Sequence, residues 1–225
     1  MKIFNKSVIA GLALLGAASA AQAVVITVSS GPNAASTPVF STSTLIDFNS
    51  GLGCPAGYSS CSGSWVVYPS SGGALSTPTG TPSGTTGNYL TIANNQPNGT
   101  GTFTTALSYN YFGLLWGTID TYNSITLSNG FTYTGTQLAA LAGISPNGIQ
   151  ERYVTFDFSA DGASGFFNSI QLIATGWSFE SDNHLLGTVG NQPPPPTNVP
   201  EPASLALFGL GLMGAAAARR RANKA

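Results

Sequence analysis

Apolar and polar residues alternate in short runs along most of the chain, and turn-forming residues separate these runs. A period of two residues is typical of half-buried antiparallel strands, and no stretch between residues 24 and 186 keeps a helical period for long. In one run, Phe103, Thr105, Leu107 and Tyr109 alternate with Thr104, Ala106 and Ser108. In another, Val154, Phe156 and Phe158 alternate with Tyr153, Thr155 and Asp157. The pattern predicts an all-β fold, in which two antiparallel sheets pack as a β-sandwich around one core.

Turn signals divide the predicted strands. Asn129-Gly130 lies between two apolar runs and predicts a two-residue hairpin, and Asp161-Gly162 predicts a second hairpin turn. Residues 137–142 are expected to form one helical turn. Residues 69–88 consist mostly of Gly, Ser, Thr and Pro with almost nothing to bury, so we expect a long surface loop.

The N-terminal segment has the three parts of a secretory signal. Lys2 and Lys6 precede an apolar stretch from Val8 to Ala18, and Ala21-Gln22-Ala23 follows. Basic residues, an apolar stretch and an A-x-A site with Ala21 and Ala23 are typical of a signal peptide. We therefore predict a signal peptide over residues 1–23 and a mature chain that begins at Val24.

The C-terminal segment has the pattern of a membrane anchor. A Pro-rich linker over residues 187–199 leads to Pro200-Glu201-Pro202, and sixteen uncharged residues, 203–218, precede Arg219-Arg220-Arg221. Sixteen helical residues reach about 24 Å, short of a hydrocarbon core of roughly 30 Å. A short apolar span closed by a basic cluster predicts a transient transmembrane segment over residues 203–218, with the arginines in the cytoplasm.

This tail resembles the PEP-CTERM sorting signal of Gram-negative bacteria, which has the same three parts in the same order. The resemblance implies a sorting signal over residues 200–225, with cleavage near Pro200-Glu201-Pro202 by an exosortase. It also implies that the chain is exported, sits transiently in the inner membrane and is then released or attached to the cell surface. The expected processing partners are signal peptidase and exosortase.

The segment between the two ends is acidic. Residues 24–199 contain seven acidic residues and a single basic residue, Arg152, which gives a net charge of −6. A phosphate backbone requires a cationic surface, so this balance excludes a nucleic-acid-binding function. Aromatic residues recur throughout and can bury large areas, which favours a folded domain over residues 24–186.

Cys54 and Cys61 are the only cysteines of the chain. In an exported protein, a closely spaced pair predicts a disulfide bond. Two thiolates alone make a poor zinc site, and the single histidine, His184, is far away in sequence.

Two segments are similar to a family of exosortase-dependent surface proteins. Residues 111–123 match a Phe-Gly-x-x-Trp-Gly-Ser-x-Asp-x-Tyr-Asn stretch, with Thr118 in place of the usual Ser, and residues 176–183 match a late Phe-Glu-x-Asp-Asn, with Ser181 where an apolar residue is common. The resemblance implies a shared fold more than a shared activity.

The first of these segments contains candidates for a sugar-binding site, namely Trp116, Asp120, Tyr122 and Asn123. An aromatic ring stacks on the apolar face of a pyranose, and carboxylate and amide groups bind its hydroxyls. The alternative is structural: the two aromatic residues belong to the core, and the two polar residues satisfy backbone donors in a turn. Aromatic residues in strands are core residues by default.

Asp47 and Asp182 are candidate calcium ligands. Their positions near the start and the end of the domain resemble jelly-roll carbohydrate-binding modules, in which the first and last strands meet at a structural calcium ion. The resemblance implies a jelly-roll-like sandwich with Ca²⁺ between these two residues, since oxygen ligands suit that ion.

Catalysis has little support in the sequence. His184 is the only possible imidazole base, and no Gly-x-Ser-x-Gly motif is present. We therefore predict a non-catalytic, exported and exosortase-processed protein of the cell surface or extracellular matrix, associated with the extracellular polysaccharide that usually accompanies this sorting system. The alternative is a lectin-like module with a pocket around Trp116, and a weaker alternative is a secreted hydrolase.

Overall fold

A computed structural model describes residues 24–31, 33–34, 37–69, 81–82, 85, 87–93, 97–146 and 151–190. In these ranges the chain forms strands β1 (Val25–Val28), β2 (Phe40–Ile46), β3 (Ser60–Gly63), β4 (Trp65–Pro69), β5 (Asn88–Ile92), β6 (Gly99–Tyr109), β7 (Tyr111–Trp116), β8 (Asn123–Leu127), β9 (Thr132–Thr134), β10 (Arg152–Asp157), β11 (Phe167–Ala174) and β12 (Phe179–Val189). Helix α1 covers Gly135–Ala142, and a 3-10 segment covers Ser159–Gly165. The last strand extends past the predicted domain end at residue 186.

The strands form two antiparallel sheets. One has seven strands, in the order β1-β10-β7-β12-β5-β4 with β2 also paired to β12, and the other has five, in the order β3-β6-β11-β8-β9. Apolar side chains of the two sheets meet face to face, as in the contacts between Phe112 and Phe167 (6.5 Å between ring centroids) and between Trp65 and Phe103 (6.0 Å). The predicted all-β, sandwich-like arrangement is therefore confirmed.

Strand β12 lies at the centre of the seven-stranded sheet. Along one edge it pairs with β7, where Ser181 lies opposite Trp116. Along its other edge it pairs first with β5 and then with β2, where His184 lies opposite Ile46. This strand therefore brings together segments that are far apart in the sequence.

The two alternating runs behave differently in the structure. In β10, Val154 and Phe156 are fully buried in the core, as their alternation predicts. In β6, Leu107 is 53% exposed although the alternation places it with the buried Phe103. The cause is a bulge, because Ser169 of β11 pairs with Thr104 whereas Phe167 already pairs with Tyr109. The extra β6 residues leave the ladder, and the two-residue period is lost there.

Of the three predicted local features, a hairpin at Asn129-Gly130, a helical turn at 137–142 and a hairpin at Asp161-Gly162, the structure contains the first two. Asn129-Gly130 lies in the hairpin between β8 and β9, but residues 128–131 form its loop, so the loop is longer than the predicted two residues. Gly130 has a φ of +90°, which a glycine adopts without strain. Residues 137–142 lie in α1, whose N-terminus is closed by a capping box between Thr134 and Gln137. Asp161-Gly162, however, does not form a hairpin turn, because it lies inside the 3-10 segment.

Cys54 and Cys61 form the predicted disulfide bond. It closes the loop that leads into β3, an edge strand of the five-stranded sheet. The bond therefore restrains a short connection at the edge of the sandwich.

Replacing both cysteines by alanine should lower the free energy of unfolding by roughly 2 to 3 kcal/mol, because a short closed loop removes little entropy from the unfolded chain. Urea unfolding of the double variant and of the wild type measures the difference. Wild-type protein treated with a reductant serves as the control and should lose the same amount. Equal urea midpoints for oxidised and reduced wild type would contradict this expectation.

Within the described ranges, no helix has both the length and the apolar character needed to cross a membrane. Several predictions concern residues beyond those ranges: the signal peptide 1–23 with Ala21 and Ala23, linker residues 191–199, and the sorting signal 200–225. The last of these includes the predicted transmembrane segment 203–218, Pro200, Glu201, Pro202, Arg219, Arg220 and Arg221.

Candidate functional site

The two segments that resemble exosortase-dependent surface proteins lie side by side in the structure. Residues 111–116 form β7 and residues 179–183 belong to β12, and these strands are direct neighbours in the seven-stranded sheet. Just beyond β7, the Gly117 N–H donates to the Glu180 carbonyl at 2.9 Å. The loops β7–β8 and β11–β12 therefore meet at one end of the sandwich.

Trp116 belongs to the core of the sandwich. Its side chain is fully buried, and its ring stacks on Phe179 with 4.5 Å between centroids and an interplanar angle of 22°. Among the described residues, no acceptor lies within hydrogen-bond distance of its indole N–H. In this arrangement neither face of the Trp116 ring is available to a sugar, which agrees with the structural alternative for this residue.

Asp120 and Tyr122 interact with each other in the β7–β8 loop. Burial raises the pKa of Asp120 to about 6, and a hydrogen bond with Tyr122 opposes the rise. Burial also raises the pKa of Tyr122, with a contribution from the negative charge of Asp120. The Tyr122 ring lies against Gly176, where a Cβ atom would come within 2.5 Å of the ring. Glycine at position 176 therefore lets the two loops pack closely.

Asn123 connects the two loops. Its backbone N–H donates to the Asp120 carbonyl at 3.2 Å, which closes a turn, and its Nδ2 donates to the Ser178 carbonyl at 3.1 Å. The side chain is fully buried, and its Oδ1 has no hydrogen-bond partner among the described residues. The Asn123 side chain thus donates to the Ser178 carbonyl, but its own oxygen accepts no hydrogen bond from a described residue.

Glu180 lies beside these residues at the end of the sandwich, but it was not among the predicted site residues. It is only 5% exposed and accepts a hydrogen bond from the Ser178 hydroxyl. Burial raises the pKa of Glu180 to about 7; the Ser178 hydroxyl opposes the rise and the charge of Asp120 adds to it. Its presence in the Phe-Glu-x-Asp-Asn segment, directly after the apolar Phe179, was the available signal.

The structure brings the calcium candidates Asp47 and Asp182 near each other. Asp47 directly follows β2, which pairs with β12. Burial raises the pKa of Asp182 to about 6, the Asn183 backbone N–H opposes the rise, and the negative charge of Asp47 adds to it. The described residues contain no cluster of three or more His, Cys, Asp or Glu side chains able to hold a metal. Calcium at this pair remains a prediction.

His184 takes part in a buried hydrogen-bond chain. Its Nε2 lies 2.9 Å from the Ser181 hydroxyl, and its Nδ1 lies 2.7 Å from the Tyr58 hydroxyl. Burial lowers the pKa of His184 to about 3, so the ring is neutral at physiological pH. The ring also makes edge contacts with Phe48 and Phe112 in the core. Because His184 and Ser181 have no exposed surface, this pair does not meet solvent or a substrate in this conformation.

Comparison with protein families gives a match in the C-terminal tail. Residues 198–221 match the PEP-CTERM protein-sorting motif. Comparison with curated proteins and with solved structures found no match. The family match supports the resemblance on which the sorting prediction depends. The sorting motif at residues 198–221 implies a protein that is exported and anchored transiently in a membrane before an exosortase processes it.

Proposed function

We propose that this protein is a non-catalytic component of the cell surface or extracellular matrix, associated with extracellular polysaccharide. The observation that carries the proposal is the sorting motif at residues 198–221, which assigns the chain to exosortase processing. The acidic balance of residues 24–199 argues against anionic partners and is compatible with a neutral or hydroxyl-rich polymer.

The described domain supports this proposal in two further ways. The acids whose pKa is raised by burial, Asp120, Glu180 and Asp182, are each 5% exposed or less, which suits a structural role better than chemistry on a bulky substrate. The Ser181–His184 pair is likewise enclosed in the core. We extend the fold to a jelly-roll-like sandwich, on the ground that β2 and the last strand pair beside Asp47 and Asp182.

The processing part of the proposal predicts the mass of the exported protein. We expect a chain that begins at Val24, ends near Pro200-Glu201-Pro202 and lacks residues 219–225. Both flanking segments combine basic residues with an apolar stretch, as signal peptides and membrane anchors do. Intact mass spectrometry of cell-surface and extracellular material measures this. In the matched control, Pro200, Glu201 and Pro202 are all replaced by alanine, and the uncleaved chain should stay in the inner-membrane fraction.

The polysaccharide part is tested with the same material. The processed protein should sediment with extracellular polysaccharide and should become soluble when that polymer is degraded enzymatically. Full-length chain in wild-type surface fractions would refute the processing step. Processed protein that never cosediments with the polymer would refute the association alone.

A further inference from the structure

A connected cluster of buried polar groups joins the two loops at the end of the sandwich. Asp120, Asn123, Ser178 and Glu180 are each 5% exposed or less. Asn123 donates to the carbonyls of Asp120 and Ser178, and the Ser178 hydroxyl donates to Glu180. We call these four residues the loop cluster. It contains two carboxyl groups and lies in none of the segments assigned to sorting.

The loop cluster has an excess of negative charge. Asp120 is hydrogen-bonded to Tyr122 and Glu180 to Ser178, and the negative charge of Asp120 adds to the rise in the pKa of Glu180. A buried carboxylate is costly unless a proton, a cation or several hydrogen bonds compensate it. A bound cation would therefore stabilise the loop cluster when both acids are ionised.

The amide of Asn123 provides an independent sign of a ligand. Its Nδ2 is fixed by the Ser178 carbonyl, so exchanging the amide oxygen and nitrogen would place two acceptors against each other. The oxygen consequently keeps its assignment. It is buried where the two loops meet and has no hydrogen-bond partner among the described residues. A buried acceptor without a donor costs free energy, and a bound cation removes that cost.

We propose that Asp120, Glu180 and the Asn123 amide oxygen bind one divalent cation of the calcium type, which ties the β7–β8 loop to the β11–β12 loop. Two carboxylates and an amide oxygen are the hard oxygen ligands that Ca²⁺ prefers, and water would complete its coordination. Sites in extracellular modules typically have dissociation constants on the order of 0.1 to 1 mM. This site is distinct from the Asp47–Asp182 pair and does not depend on the association with polysaccharide.

The test uses the exported protein as isolated from cells, stripped of metal with a chelator and titrated with CaCl₂. Calorimetry and Tb³⁺ emission, excited through the aromatic side chains and displaced by Ca²⁺, count and locate the bound ions. We expect Glu180→Gln and Asp120→Asn each to weaken one site at least tenfold. Asp47→Asn is the matched control and should leave that site unchanged. Glu180→Gln removes a buried charge and keeps the shape, so the metal-free variant should fold, and near-ultraviolet circular dichroism checks this.

Each outcome decides the proposal. Loss of one bound ion in both loop-cluster variants, with retention of that ion in Asp47→Asn, supports it. The absence of Ca²⁺ binding to the wild type up to about 10 mM, well above the expected dissociation constant, overturns it. Binding that Asp47→Asn abolishes and Glu180→Gln leaves intact also overturns it and assigns the ion to the Asp47–Asp182 pair.

Discussion

Replacing Trp116 by alanine should lower the free energy of unfolding by about 3 to 5 kcal/mol, a large part of the stability of a domain of this size. Trp116 is fully buried and stacks on Phe179, so the truncation removes a ring contact and leaves a cavity that rigid strands fill only in part. Urea unfolding at constant pH measures the loss.

Trp177 provides the matched control for this substitution. It lies in the β11–β12 loop and is 55% exposed, so Trp177→Ala should change the stability by no more than about 0.5 kcal/mol. A lectin-like pocket around Trp116 predicts a different result: Trp116→Ala would keep the wild-type urea midpoint and lose retention on extracellular polysaccharide. That combination of results would show that Trp116 binds the polysaccharide and does not stabilise the core.

Local alternation in the sequence predicted the all-β class and strand β10, and its failure at β6 has an identifiable cause. Val154 and Phe156 of β10 occupy the core as predicted, because β1 and β7 pair with this strand in continuous register, although Tyr153 and Thr155 between and before them are buried too. The alternation of β6 fails at Leu107 because the shift opposite β11 depends on how two distant strands meet. A bulge of this kind is set by tertiary pairing, and the β6 sequence alone does not reveal it.

The sequence indicated some residues of the candidate site, but it did not indicate how deeply they are buried. Asp120 and Asn123 stood out by residue type and spacing, yet the sequence does not show that their loop is covered by the β11–β12 loop. Glu180 was missed because its unusual property, a carboxyl group that is almost fully buried, arises only when β12 takes its place in the centre of the sheet. Burial is a property of the whole fold, so the sequence offers only an indirect signal for it.

Glu180 should make the domain less stable as the pH rises from about 4.5 to 7. Burial raises the pKa of this carboxyl group from 4.5 to about 7, so the folded state holds its proton more tightly than the unfolded chain does. The stabilisation is fully present below the unfolded pKa and is lost as the pH passes through the folded pKa. At 1.36 kcal/mol per pKa unit, the loss is on the order of 3 kcal/mol for this one group.

The experiment compares wild type with Glu180→Gln at a series of pH values between 4.5 and 8, in chelator so that no bound cation favours the carboxylate. The comparison is needed because His184, whose pKa is lowered to about 3, acts in the opposite direction below its unfolded pKa and contributes equally to both proteins. The free energy of unfolding of Glu180→Gln, relative to wild type, should rise between pH 4.5 and 7 and stay level above. Glu180→Asp retains a carboxyl group at this position and should retain most of the wild-type pH dependence. A difference that stays constant with pH would mean that the Glu180 carboxyl group is hydrated in solution, and the two loops would then not enclose it as the structure describes.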